Sequence, residues 1–298
     1  MSLLLHHSLA TASRARRKSS QGFTLIELLV VISIIAMLIS ILLPALGAAR
    51  TSAEQVAEMA AARQLAQVQV MYADDYDGYY ISADYQPSSD VTVSGFNGVA
   101  LSPFDPSRGR YPYRLGGYLN GVLKGLTHVG DTLQYIEIGS PTSTDIYIGS
   151  LAPSFGLNGE YVGGMYLPHT SISLGQGAAA AWRPEMVLRP GVEAISQSGL
   201  IAFASARSYT GPGSTEYFGY YYVRAPYGYA NTDWSASDYD RYGANATDWG
   251  RVDPRYHDAA VVGFTDGHAE TMKLDALRDM RLWSNEARRA NDPNYNPN

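Results

Sequence analysis

The 298-residue sequence contains no cysteine. That excludes a disulfide framework, a thiolate zinc site, an iron–sulfur cluster, a lipidated cysteine and a cysteine nucleophile. Charge is also scarce, with 17% of residues ionised against the usual quarter of a soluble domain. A formal charge of −6 argues against a general nucleic-acid binder. Catalytic signatures are missing as well: there is no His-Glu-x-x-His, no Gly-x-Ser-x-Gly and no paired-carboxylate motif, so no enzyme class is indicated. What is abundant is tyrosine, with 23 copies, and glycine, with 29. That balance suits a loop-rich, β-rich surface better than a helical bundle.

The sparse charge is unevenly placed. The first 22 residues carry Arg14, Arg16, Arg17 and Lys18 and no acid, so 18 of the 22 basic residues are left to face all 28 acidic ones, a net of −10 beyond that point. Residues 23–49 then read FTLIELLVVISIIAMLISILLPALGAA, with Glu27 as the sole ionisable group. The run supplies the roughly 20 apolar residues that span a bilayer core. Its basic flank places the N-terminus in the cytoplasm and the acidic body outside.

The run exceeds the apolar region of an ordinary signal peptide, although Ala45-Leu46-Gly47 offers a small-residue cleavage site that would release a soluble body starting at Ala48. A plain anchor helix is the other simple reading. Neither accounts for Glu27, because a carboxylate near the centre of a spanning helix costs about 2–3 kcal/mol.

Gln21-Gly22-Phe23-Thr24-Leu25-Ile26-Glu27-Leu28 resembles the processing site of type IV pilins and type II secretion pseudopilins. The resemblance implies cleavage between Gly22 and Phe23 by a prepilin peptidase, N-methylation of Phe23, and Glu27 as the fifth residue of the mature chain. It also implies an assembly contact between the Phe23 amino group and Glu27 of a neighbour, and places Pro44 where many pilins kink. The physical warrant is mutual: an unpaired cation and an unpaired anion are each costly in hydrocarbon, and pairing them removes both costs. Glycine before the cut lets a peptidase approach the backbone.

Beyond the apolar run, Ala53, Val56, Ala60, Leu65, Val68 and Tyr72 recur at spacings of three and four, which predicts that the helix continues to about residue 75 with one apolar face. Asp74-Asp75-Tyr76-Asp77-Gly78 reads as its end. A calcium loop there would need an oxygen ligand at Ala73 and Glu at Asp84. Further on, residues 131–138 and 145–148 read as strands and residues 274–289 as a final helix, followed by a loose tail, 291–298.

Ser154-Phe155-Gly156-Leu157-Asn158-Gly159 is similar to a Ser-Tyr-Gly-x-Asn stretch of large-headed prepilin-like proteins and reads as a turn. Residues 257–272 read as a hairpin about Asp266-Gly267. They resemble the His-x9-Asp-Gly region of such proteins, with eight intervening residues instead of nine. His257, Asp266, Gly267 and His268 are accordingly expected to be structural. The string Gly175 to Ala180 matches a dinucleotide-binding pattern, but Pro184 cuts short the helix such a site needs.

From 205 to 256 tyrosines crowd among Asp, Asn and Ser. They suit either a platform for a glycan or exported protein or a loop packed on the sheet. Asp233, Asp238, Asp240 and Asp248 are calcium candidates there, a cofactor that the resemblance to major pseudopilins suggests.

The expected fold is α+β: a long N-terminal helix, membrane-spanning in its first half, packed on an antiparallel β-sheet head with long loops, a C-terminal hairpin and a short helix. The expected divisions are a cleaved cytoplasmic leader, 1–22; a helix, 23–75, whose residues 23–49 form the transmembrane and filament core; and an exported head, 76–298. The expected function is a pilin-like subunit of a type IV pilus or type II secretion-like pseudopilus. Alternatives are a minor subunit or anchored protein with a ligand-binding head, and an anchored envelope enzyme. Implied partners are prepilin peptidase and methyltransferase, other subunits, an inner-membrane assembly platform and lipid. The implied location is the inner membrane, then a periplasmic or surface filament.

Overall fold

A computed structural model of the chain describes residues 23–84, 93, 100–103, 105–119, 142–163, 194–208, 219–228, 234 and 248–297. Two compact units divide at Arg50. In the first, every large apolar side chain from Phe23 to Leu46 is exposed. Among the described residues no protein surface covers them, and the helix that carries them is long and apolar enough to cross a membrane. That helix, α1 (Leu25–Asp75), runs through Pro44 without interruption and has its second half, from Thr51, in the second unit.

α1 ends where the sequence predicted. Asp77 and Gly78 take left-handed φ angles of 53° and 82°, and the Gly78 amide returns to the Ala73 carbonyl at 2.8 Å. This is a glycine-terminated helix end.

The second unit is built on a five-stranded sheet in the order β3-β1-β2-β4-β5. The strands are β1 (Phe155–Asn158), β2 (Ile201–Ser205), β3 (Tyr222–Val223), β4 (Ala259–Phe264) and β5 (Ala269–Lys273). All neighbours are antiparallel except β1 and β3, which pair parallel. β1, β2 and β4 are buried along their whole length, because the sheet is covered on both faces. On one face Ala62, Leu65, Val68 and Tyr72 of α1 join Leu157, Phe203 and Val261. On the other, Trp283, Leu277 and Met280 of the C-terminal segment pack with Ile201, Ala204, Val262 and Phe264. Along β4, Ala260, Val262 and Phe264 join the second core while Val261 joins the α1 side. In β2 a register irregularity between Ile201 and Phe203 lets Ala202 and Phe203 both join the α1 side.

Three expectations about helices and the C-terminal tail are corrected. Residues 145–148 are not a strand but lie in an α-helix, Ser143–Leu151, begun by a capping box: the Thr142 hydroxyl accepts from the Asp145 amide and the Asp145 carboxylate accepts from the Thr142 amide. The cap overrides the β preference of Ile146, Tyr147 and Ile148. The single C-terminal helix is three short pieces, Leu274–Leu277, Met280–Leu282 and Asn285–Ala290, since Asp279 and Ser284 each cap a new start. The tail is held, with the Met280 amide donating to the Pro293 carbonyl at 2.9 Å and Tyr295 packed on the second core. The segment 131–138 lies outside the described residues.

Within the Ser154–Gly159 stretch, Phe155–Asn158 form strand β1 rather than a turn, and Gly156 and Asn158 each have a task. A Cβ on Gly156 would lie 2.6 Å from the Tyr222 carbonyl carbon, so only glycine admits the parallel strand β3. Asn158 is fully buried and bridges three segments: its Nδ2 donates to the Ile201 and Trp283 carbonyls, both at 3.0 Å, and its Oδ1 accepts from the Tyr161 amide at 3.3 Å.

Candidate functional site

The first described turn holds Glu27. Thr24 precedes α1 and its hydroxyl accepts from the Glu27 amide at 3.2 Å. The Glu27 carboxylate in return accepts from the Thr24 amide at 2.9 Å and the Thr24 hydroxyl at 2.8 Å. This is a reciprocal capping box. The spacing Thr-x-x-Glu carries that signal in the sequence, where it coincides with the processing motif. A carboxylate in the first turn also meets the positive end of the helix dipole. Within one chain, therefore, Glu27 is held by its own backbone, and it retains the acceptor capacity of its second oxygen. Gly22 lies outside the described residues; Phe23 is exposed at the very start of them.

The C-terminal candidates separate in space. Asp266, Gly267 and His268 lie in the loop between β4 and β5. Asp266 Oδ1 accepts from the His268 amide at 3.0 Å and contacts the His268 ring Nδ1 at 2.5 Å. The same ring stacks on Phe264 at 4.2 Å. Only Gly267 in this loop has positive φ, 93°, so the loop is wider than the two-residue primed turn expected at Asp-Gly. His257 instead sits at the opposite end of β4. There it and Asp258, with φ of 52° and 62°, form the two-residue primed turn, closed by paired bonds of 3.1 and 3.0 Å between Tyr256 and Ala259. The two histidines thus do not share a site, and no group of three or more metal-ligating side chains occurs among the described residues.

Of the calcium candidates, Asp248 is half-buried beside Trp249; Asp233, Asp238 and Asp240 lie outside the described residues, as do the string 175–180 and Tyr209, Tyr217, Tyr229, Tyr239 and Tyr242. The described tyrosines of the rich segment point inward. Tyr221 and Tyr222 are buried, Tyr220 stands 4.8 Å from each of them, and Arg251 lies over the Tyr220 ring at 3.8 Å. These are packed, cation-capped rings rather than an open platform.

Asp84 pairs by a backbone bridge with Arg110 and accepts from the Tyr221 hydroxyl at 3.5 Å. Burial pushes its carboxyl up to about 6, against the pull of the Arg110 charge, the Tyr221 bond and the Arg114 charge. A carboxyl whose folded value is raised holds its proton longer when folded, so stability falls as pH rises from about 4 to 6. Asp84→Asn keeps the neutral shape. Melting of the full chain in detergent is expected to rise by about 3–5 °C at pH 7.5, about 1–2 kcal/mol after solvent screening, and to be unchanged at pH 4. An equal gain at both values refutes the assignment.

Residues 17–43 match the family model of the prokaryotic N-terminal methylation motif. The N-terminal segment is thus similar to that of type IV pilins and pseudopilins. The chain is 44% identical over 62 residues to the type IV wide pilus major component PilA4 of Thermus thermophilus, a match covering 21% of this chain and 47% of that one. It thus spans about half the length of this curated pilin relative. No solved structure matches the chain. The pilin-type fold, a long apolar N-terminal helix on a mostly antiparallel sheet with short C-terminal helices, accords with the motif.

Proposed function

We propose that this chain is a pilin-like structural subunit, cut between Gly22 and Phe23, N-methylated on Phe23, and polymerised into a type IV pilus or type II secretion-like pseudopilus. The observation that carries the reading is the methylation motif over residues 17–43 continuing into a helix with wholly exposed apolar side chains. A surface of this kind needs lipid before assembly and neighbouring helices after it. Prepilin peptidase and methyltransferase, sister subunits and a membrane assembly platform are its partners. The leader 1–22 stays cytoplasmic and the head, 76–298, is exported, as the basic flank requires. The role is non-enzymatic. The inward packing of the described tyrosines supports a structural head over a glycan-binding one.

Intact mass and N-terminal sequencing of the protein from its native membrane test this. The expected chain begins at Phe23 and is one methyl group heavier than its sequence, and Gly22→Ala accumulates uncut. A start at Met1 or at Ala48 sinks the proposal.

A further inference from the structure

The stem of α1 that lies in the second unit buries an alanine-rich stripe: Ala61, Ala62, Ala66 and Ala73 beside Leu65, Val68, Gln69 and Tyr72. Such a stripe discriminates poorly between seatings one helical turn apart, since a slide of four residues puts residue 58 where Ala62 sits and Ala62 where Ala66 sits. The stem lies close to β4, where a Cβ on Gly263 would meet the Ala62 carbonyl oxygen at 3.1 Å.

One charged side chain interrupts this stripe. Glu58 is fully buried and its Oε1 accepts from Arg255 Nη1 at 2.8 Å. On its other sides Arg255 meets head groups: Asp253 Oδ2 at 3.0 Å from Nε, and the Ala206 and Ser154 carbonyls at 2.8 and 3.3 Å from Nη2. Arg255 and Asp253 already neutralise one another within the head. Glu58 is therefore not needed to balance Arg255, and it adds a second buried carboxylate to the pair.

We propose that the Glu58–Arg255 contact is a register pin, which favours the present axial seating of the stem over the one a turn along, because that slide carries Glu58 into the fully buried Ala62 position as a lone carboxylate. An unpaired buried charge is severely disfavoured, whereas a paired one is close to neutral in net stability. The pin thus acts through the wrong seatings rather than by tightening the right one. Glu54 stands one turn earlier on the same helix face as Glu58. Without Glu58, the seating that brings Glu54 to Arg255 becomes available.

The natural absence of cysteine makes the test direct. In the native seating Gln55 and Met59 flank Thr271, with the Gln55 amide 3.0 Å and the Met59 sulfur 3.4 Å from the Thr271 hydroxyl. The full chain, in detergent, is given the pair Gln55→Cys/Thr271→Cys or Thr51→Cys/Thr271→Cys and treated with a short thiol-to-thiol crosslinker. With Glu58 present, the 55–271 pair is expected to link and the 51–271 pair to stay at background. With Glu58→Ala, the protein stays folded, the 51–271 link rises at least fivefold and the 55–271 link falls.

A further Glu54→Gln change in the Glu58→Ala chain returns the 51–271 link toward background. Unchanged crosslinking in Glu58→Ala overturns the proposal, because it means that Leu65 and Tyr72 set the register by shape. Glu58→Gln, which keeps the volume and removes the charge, is scored in the same way. Failure of both variants to accumulate as folded protein also overturns it, since it means that Glu58 is required for stability itself.

Discussion

Glu27→Gln is expected to give a chain that is inserted, cut and methylated, yet enters filaments at less than a tenth of the normal yield. The reason lies in what this substitution keeps. Gln accepts the same hydrogen bonds from the Thr24 amide and hydroxyl that now measure 2.9 and 2.8 Å, so the capping box survives. What it removes is the negative charge. The proposed contact with the Phe23 amino group of a neighbour then leaves a cation facing a neutral amide in hydrocarbon, and a lone charge there costs about 2–3 kcal/mol or more. A deficit of that size is a factor of about 30–150 in an equilibrium constant. Thr24→Val provides the opposite case, losing half of the cap and keeping the charge, and is expected to assemble at reduced but substantial yield. Filaments sheared from cells and quantified against membrane-retained subunit measure both. Normal assembly of Glu27→Gln, with loss in Thr24→Val, would assign Glu27 to capping alone and remove the charge-pairing contact.

Asn158→Leu is expected to be the most damaging single change in the head, lowering the melting temperature of the full chain in detergent by about 10 °C. The side chains are close in size, so packing is nearly conserved. Lost instead are the partners of the Ile201 carbonyl, the Trp283 carbonyl and the Tyr161 amide, all in a region with no access to water. Each stranded group costs about 1–3 kcal/mol, and a total near 3–4 kcal/mol gives a shift of that order in a domain of about 250 residues. Asn158→Asp sharpens the test, because its carboxylate would face two carbonyl oxygens without a donor. It is expected to be at least as destabilised at pH 7 and to recover part of the loss near pH 4, where the protonated acid donates once. A shift under 2 °C for both variants would show that these three backbone groups find other partners.

Much of the N-terminal segment was legible in the sequence for a physical reason: its properties are one-dimensional. A basic flank, a run of apolar residues and a single acid at Glu27 are each properties of neighbours along the chain, as is the Asp77-Gly78 helix end. The capping pairs Thr24–Glu27 and Thr142–Asp145 were legible in the same way. Neither was recognised as a cap: the first is also part of the processing motif, and at the second Ile146, Tyr147 and Ile148 have β preferences that a local cap outweighs. The division of the C-terminal helix by Asp279 and Ser284 was overlooked for a similar reason, since apolar spacing alone does not register where the backbone is recapped.

By itself, then, the sequence determined the apolar helix, its acidic residue and its end, because hydropathy, local capping and glycine's access to positive φ act over a few adjacent residues. The tertiary structure alone decided what the head's polar residues do. The parallel pairing of β3 with β1, which demands Gly156, joins segments more than 60 residues apart. Asn158 serves carbonyls 43 and 125 residues away, and Arg255 meets Glu58 across 197 residues. Such contacts follow from burial. A polar group taken out of water must find its partner wherever the fold brings one, and no local pattern in the chain records where that is.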